Sequence, residues 1–129
     1  MLKKVKRFTI NRAKWLPREA QDRLRIDSGL SVDGRRCCLG AYLHACGFAD
    51  KNLRAAGMPS HIYAGKTFLQ QVGLLTKIGG NSDEANHLAN VNDSMRTPLK
   101  RKEELIKAGF AELGVEVTFK GEMFSKEEK

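Results

Sequence analysis

The sequence predicts an α+β fold in which a small antiparallel sheet, including strands from both ends of the chain, is packed with three or four helices. Three observations predict it. Apolar and polar residues alternate near each terminus, helical spacing dominates the middle, and 129 residues suffice for one hydrophobic core but not for two. Residues 1–120 are therefore expected to form a single domain, followed by a polar tail over residues 121–129.

The two predicted strands occupy residues 5–10 and 115–120. In the first strand, Phe8 and Ile10 alternate with polar residues, and the second strand has the same alternation up to Phe119. A strand that is apolar on one face only is typical of an antiparallel sheet with one solvated face. We therefore expect the two ends of the chain to meet in one antiparallel sheet, with helices covering its apolar side.

Two helices are predicted in the first half of the chain. The first runs over residues 17–26, because proline is tolerated in a first helical turn. The second runs over residues 37–46, where apolar residues recur at helical spacing and Gly47 suits a left-handed cap. Residues 50–57 are predicted as a short turn, and residues 58–80 as irregular structure with at most one helical turn.

Two further helices are predicted in the second half. Ser82 is a good N-cap for a helix that ends between residues 90 and 94, with acidic residues in its first turn. Thr97 and Pro98 open the clearest helix, and Gly114 closes it.

Composition limits the classes of protein that fit. The chain has 23 Lys and Arg against 15 Asp and Glu, a formal net charge of +8, which favours phosphates, nucleic acid or an acidic protein surface as partner. No apolar run approaches the roughly 20 residues of a membrane helix, so we expect no membrane association and a location in the cytoplasm. Three clustered cysteines do not make a secreted disulfide framework, and reduced thiols are expected.

Basic side chains form two groups along the chain. One group is at the start and polar face of the last helix: Arg96, Lys100, Arg101, Lys102 and Lys107. The other loads the N-terminal segment: Lys3, Lys4, Lys6 and Arg7. If the termini pair, both groups contribute to one patch of phosphate contacts. The alternative is an ordinary solvated helix face, and Trp15, Tyr42 and Tyr63 are not interleaved with the charges as stacking platforms are.

The residues at positions 34–47, GRRCCLGAYLHACG, hold all three cysteines. Adjacent Cys37 and Cys38 point about 100° apart on a helix, which argues against a zinc site, and no metal or other cofactor is expected. Buried thiols are the simplest interpretation. The alternative is a cysteine-dependent hydrolase or transferase, in which Arg35 and Arg36 beside a helix N-terminus activate Cys37 or Cys38 and His87 is the base.

The motif G-x-x-C-C-L-G at residues 34–40, followed by L-A-x-x-N-D at residues 88–93, resembles a family of small proteins of tailed phages and prophages. The stretch FTINRAKW at residues 8–15 and the central Met58-Pro59 also fit, so the resemblance covers residues 8–119 in patches. It implies that the cysteine pair and the pair Asn92 and Asp93 are neighbours. It also implies an early phage protein acting against host defence.

These observations lead to one expected function and two alternatives. We expect a phage-encoded, non-catalytic binding protein that inhibits a host defence system, as anti-CRISPR proteins do, through a basic surface in the host cytoplasm. Its partner would be a defence protein or the nucleic-acid or nucleotide component of one, and the oligomeric state is open. The alternatives are the cysteine enzyme and a nonspecific nucleic-acid-binding accessory protein. The expected binding residues are Arg35, Arg36, Asn92, Asp93, Arg96, Lys100, Arg101, Lys102 and Lys107.

Overall fold

The two strands come from opposite ends of the chain and pair side by side. In the computed structural model, which describes residues 2–124, β1 (Arg7–Asn11) and β2 (Glu116–Lys120) form a two-stranded sheet. Phe8 stands beside Val117 and Ile10 beside Phe119 in the register, and both strands alternate between buried and exposed residues. One face of the sheet therefore packs on the core and the other faces solvent.

The pairing is parallel, so the prediction of an antiparallel sheet is wrong, although the α+β class is consistent with the structure. The alternation of apolar and polar residues identifies the buried face of a strand but contains no information on its direction. The chain between the strands holds all the described helices, and this is the long type of connection that parallel neighbours need.

The described residues contain six α-helices and two short 3₁₀ helices, more than the predicted three or four. Two of the α-helices have only five and six residues and lie where a turn and irregular structure were predicted, because a helix that short shows no apolar period. The α-helices are α1 (Arg18–Leu24), α2 (Cys38–Ala45), α3 (Asp50–Arg54), α4 (Lys66–Gln71), α5 (Asp83–Asp93) and α6 (Leu99–Glu112). The 3₁₀ helices are Arg12–Lys14 and Pro59–His61.

The longer helices begin and end close to their predicted signals. The side chain of Ser82 accepts a hydrogen bond from the backbone N–H of Ala85 at 3.1 Å, which caps α5. Gly114 has a φ of 77° just after α6, a conformation that favours glycine and turns the chain into β2. These local rules hold because each cap is formed by residues within one turn of its helix.

The core lies between the inner face of the sheet, α2 and α6. Its centre is an aromatic group in which the rings of Phe8, Tyr42 and Phe110 pack with centroids 5.1–5.4 Å apart. α2 also lies directly against the loop before it, because a Cβ on Gly40 would overlap the carbonyl oxygen of Leu30. The last glycine of the motif is therefore required by packing.

The predicted polar tail over residues 121–129 is only partly described. Met123 is buried, and its carbonyl accepts a hydrogen bond from Arg35 at 3.0 Å. The beginning of the predicted tail thus packs against the domain, and residues 125–129 lie outside the described residues.

Candidate functional site

Asn92 lies in the interior and joins three segments of the chain. Its side chain is 1% exposed. The Oδ1 atom accepts hydrogen bonds from the indole N–H of Trp15 at 2.8 Å and from the backbone N–H of Cys38 at 3.1 Å, and Nδ2 donates to the carbonyl of Leu16 at 2.9 Å. Every hydrogen-bonding group of this carboxamide contacts the protein itself, so Asn92 has a structural role and does not contribute to a binding surface.

Asp93 extends the same network. Its Oδ1 accepts hydrogen bonds from Gln21 Nε2 at 2.7 Å and from Asn92 Nδ2 at 2.9 Å. The cysteine pair and the Asn-Asp pair are thus neighbours, as the resemblance implies. The contact is between the end of α5, the start of α2 and the segment before α1, which makes it an architectural junction.

Cys37 and Cys38 are both buried, with Cys37 only 7% exposed. The Cys37 sulfur accepts a hydrogen bond from the backbone N–H of Gly40 at 3.5 Å and caps α2, while the Cys38 thiol donates to the carbonyl of Leu88 at 3.6 Å. Burial raises the pKa of Cys37 to about 11 and that of Cys38 well above its ordinary value. Neither group therefore has the low pKa that a nucleophilic thiolate requires.

His87 lies on the surface, in a different environment from the thiols. It is exposed and lines a small depression of about 200 Å³ whose other described residues are Asp83, Glu84, Gly109 and Glu112. Neither Cys37 nor Cys38 contributes to that depression. Within residues 2–124, His, Cys, Asp and Glu form no group of three or more able to hold a metal ion.

The two arginines that precede the cysteines also bond within the fold. Arg35 is buried and donates to the carbonyls of Trp15 at 2.9 Å and Met123 at 3.0 Å. Arg36 binds both carboxylate oxygens of Asp50, at 2.9 and 3.0 Å, and these hydrogen bonds lower the pKa of Asp50. The expected binding residues Arg35 and Arg36 therefore make contacts within the fold.

Lys102 was expected on the polar face of the last helix, but its side chain is 0% exposed. Its ammonium donates to Glu19 Oε1 at 2.7 Å and to the carbonyl of Ser94 at 3.0 Å, which ties α6 to α1. Helical spacing alone placed Lys102 on the outside, and the approach of α1 covers it. Arg101 is exposed and forms an ion pair with Glu104 at 3.0 Å, while Arg96 is exposed.

Three exposed basic residues lie where the N-terminal segment meets the end of α6. Lys6 and Lys107 line one shallow depression of about 450 Å³ together with Gly114. The ammonium of Lys4 also points there, 4.0 Å from the position that a Cβ on Gly114 would take. All three side chains are exposed, and we call Lys4, Lys6 and Lys107 the lysine surface.

The lysine surface has little compensating charge. Within residues 2–124, no carboxylate forms an ion pair with any of its three ammonium groups. Glu116 is the carboxylate in the lining of the depression, so three lysines stand against one negative charge there. The nearby Glu103 is bound by Arg12 through two hydrogen bonds, at 2.7 and 2.8 Å. The net charge of this surface is therefore positive.

Lys107 and Lys100 also line a second depression, of about 490 Å³. Its two carboxylates, Glu103 and Glu104, form ion pairs with Arg12 and Arg101 and not with these lysines. The basic region thus continues along α6 beyond the lysine surface. The expected binding residues do not include Lys4 and Lys6, although the sequence shows these lysines as a second basic group that pairing of the termini would bring to α6. The pairing of β1 with β2 does bring that group to the end of α6.

No protein-family model matches this chain, and comparison with curated proteins and with solved structures gives no match either. The resemblance to small phage proteins therefore stays a prediction. No helix within the described residues is both long and apolar enough to cross a membrane.

Replacing Asn92 by alanine is expected to destabilise the protein by about 3 kcal/mol or more, because it leaves the indole N–H of Trp15 and the N–H of Cys38 buried without acceptors. Urea denaturation followed by circular dichroism measures the change. Asn90→Ala, an exposed position on the same helix, is the matched control and should stay within about 0.5 kcal/mol of wild type. Equal stabilities of the two variants would contradict the role given to Asn92.

The three thiols are expected to react slowly in the folded protein. With the pKa of Cys37 at about 11, its thiolate fraction at pH 8 is about a hundredfold lower than that of glutathione, and burial hinders the reagent further. A colorimetric disulfide reagent should label the native protein far more slowly than glutathione, and all three thiols promptly after unfolding in urea. A native thiol that reacts as fast as glutathione would support the cysteine enzyme instead.

Proposed function

We propose that this protein binds a polyanion through the lysine surface and acts by occupying its partner, without catalytic turnover. The observation that carries the proposal is that Lys6 and Lys107 line one depression and that the ammonium of Lys4 lies close to Gly114, which lines it too. All three lysines are exposed and have no ion-pair partner among residues 2–124. Like charges placed together repel one another, so the arrangement disfavours the free protein slightly and favours the complex with an anion.

A polyanion suits this surface better than a single small anion. The basic region extends from the N-terminal segment along α6 to Lys100, over two adjoining shallow depressions rather than one closed pocket. Neutralising several phosphates releases their condensed counterions, which supplies most of the affinity at low salt. The net charge of +8 also speeds the approach of an anionic partner.

Binding without turnover is supported by the burial of the candidate nucleophiles and by the separate position of the candidate base. Cys37 and Cys38 are buried with raised pKa values, and His87 lines a separate depression. The cysteine enzyme would need a reactive thiolate beside a base, and no observation on the described residues favours it.

For the partner, the resemblance to small phage proteins favours a component of a host defence system, in the cytoplasm of the host. The protein would inhibit that system, as anti-CRISPR proteins do, by covering the anionic part of a defence complex, either its nucleic acid or an acidic protein surface. A nonspecific nucleic-acid-binding accessory protein would use the same surface, and it differs in binding unrelated DNA without affecting defence.

Removing two charges from the lysine surface is expected to weaken binding to a polyanion and to lower its dependence on salt. With heparin as the probe, Lys6→Gln combined with Lys107→Gln should reduce affinity about tenfold at low salt. The slope of log affinity against log salt should fall by about 1 to 2 units, since each lost phosphate-type contact removes a little less than one. Titration calorimetry at several salt concentrations measures both quantities.

The matched control is Lys14→Gln combined with Lys51→Gln, which removes the same net charge from exposed positions away from the depression. This control variant should change the affinity for heparin and its salt slope much less. If the two double variants lose affinity equally, binding depends on net charge alone and the lysine surface is not the site.

A further inference from the structure

We infer that the polyanion is a single-stranded nucleic acid and that Tyr63 stacks on one of its bases, at the far end of the N-terminal segment from the lysine surface. This inference rests on the proposed function. Tyr63 lies in the turn between the 3₁₀ helix Pro59–His61 and α4, and its side chain is 97% exposed. An aromatic side chain normally buries much of its area in the fold, and this ring contributes almost nothing to the core.

The N-terminal segment connects Tyr63 to the lysine surface. A Cβ on Gly65 would lie 2.8 Å from Cδ1 of Leu2, so the start of the chain packs on the turn that holds Tyr63. The backbone N–H of Lys3 then donates to the carbonyl of Cys46 at 2.9 Å, which fixes the segment at the end of α2. From there the chain reaches Lys4 and Lys6 at Gly114.

The distance along this path suits a nucleic-acid strand. Residues 2–6 span at most about 14 Å even when extended, so the ring of Tyr63 and the ammonium groups of the lysine surface lie within reach of one short strand. Proteins that bind single strands combine a basic track for the backbone with aromatic rings on which bases stack. In this protein Tyr63 provides the exposed ring, and Lys3, Lys4 and Lys6 provide the positive charges along the nucleic-acid backbone.

The surroundings of Tyr63 do not repel phosphate. Residues 52–82, which flank Tyr63 in the sequence, contain no Asp or Glu and include three cations, Arg54, Lys66 and Lys77. The ammonium of Lys66 lies over the backbone at Gly79, where a Cβ would stand 2.7 Å from Nζ. The side chain of Lys66, three residues after Tyr63, therefore reaches the turn that carries Lys77.

A second exposed side chain, in the turn that Lys66 reaches, allows nucleic acid to be distinguished from protein as the partner. Ile78 is 92% exposed and precedes Gly79 in the same turn as Lys77. A protein partner would use Ile78 and Tyr63 together as an apolar contact with a desolvated centre. A nucleic acid needs the flat ring of Tyr63 and gains little from Ile78. The narrow row of lysines that leads from Tyr63, in place of a broad apolar area, favours the nucleic acid.

The test uses fluorescence anisotropy with three labelled probes of about twenty nucleotides, long enough for one such site: oligo(dT), oligo(rU) and a DNA duplex. We expect wild type to bind one or both single strands more tightly than the duplex, and the two single strands distinguish DNA from RNA. Tyr63→Ala should weaken single-strand binding about fivefold to a hundredfold without changing the salt slope, and Tyr63→Phe should stay within about twofold of wild type.

Two further variants serve as controls. Ile78→Ser removes the exposed apolar side chain in the turn that carries Lys77. Met95→Ser removes an exposed apolar side chain that follows the C-terminal end of α5. Both should bind oligo(dT) within about twofold of wild type. A loss on Ile78→Ser as large as that on Tyr63→Ala would overturn base stacking in favour of a general apolar contact. Circular dichroism checks that each variant is folded, which an exposed position makes straightforward.

The outcomes separate this inference from the proposed function. If Tyr63→Ala binds oligo(dT) as wild type does, or if the duplex binds as tightly as the single strands, the stacking inference fails. The proposal that a polyanion binds at the lysine surface would still hold if Lys6→Gln with Lys107→Gln weakens heparin binding. If wild type binds neither heparin nor any oligonucleotide at low salt, both fail.

Discussion

The carboxamide of Asn92 joins three segments that are far apart in sequence, and the positions of the other elements depend on it. It accepts from Trp15 and from the first residue of α2, and it donates to the carbonyl of Leu16, all in the interior. A buried carboxamide is stabilising only when its partners are held at hydrogen-bond distance, so the network fixes α5, α2 and the segment before α1 relative to one another. With these three in place, the sheet and α6 close over the aromatic group at the centre.

This junction explains why the residues with the most chemical character are structural. Cys37 caps α2, Cys38 donates to Leu88, Gly40 allows the loop at Leu30 to approach, and Asp93 extends the network to Gln21. The two motifs G-x-x-C-C-L-G and L-A-x-x-N-D are thus two halves of one internal contact. Arg36 and Lys102 likewise bond to carboxylates, Asp50 and Glu19, so neither is available to a partner, whereas the lysine surface forms no ion pair within residues 2–124.

Local features of the fold were predictable, and features set by distant segments were not. The cap at Ser82 and the turn at Gly114 are determined within one helical turn, so α5 and α6 begin and end near the expected residues. The direction of β2 relative to β1 depends on the path of the intervening chain, and the alternation of apolar and polar residues does not indicate that path. The burial of Lys102 depends on where α1 packs, and helical spacing does not specify that. For the same reason the sequence does not indicate that the N-terminal segment connects Tyr63 to the lysines, because Leu2 contacts Gly65 only in the folded chain.

We expect an anion to bind at the lysine surface and not at the helix start that carries the cysteines. Nuclear magnetic resonance on the isotope-labelled protein, titrated with heparin at low salt, tests this residue by residue. The shifted backbone amides are expected to cluster at residues 3–7 and 107–116, while those of residues 34–39 and 92–93 stay in place. Shifts concentrated at residues 34–39, with none around Gly114, would contradict this expectation.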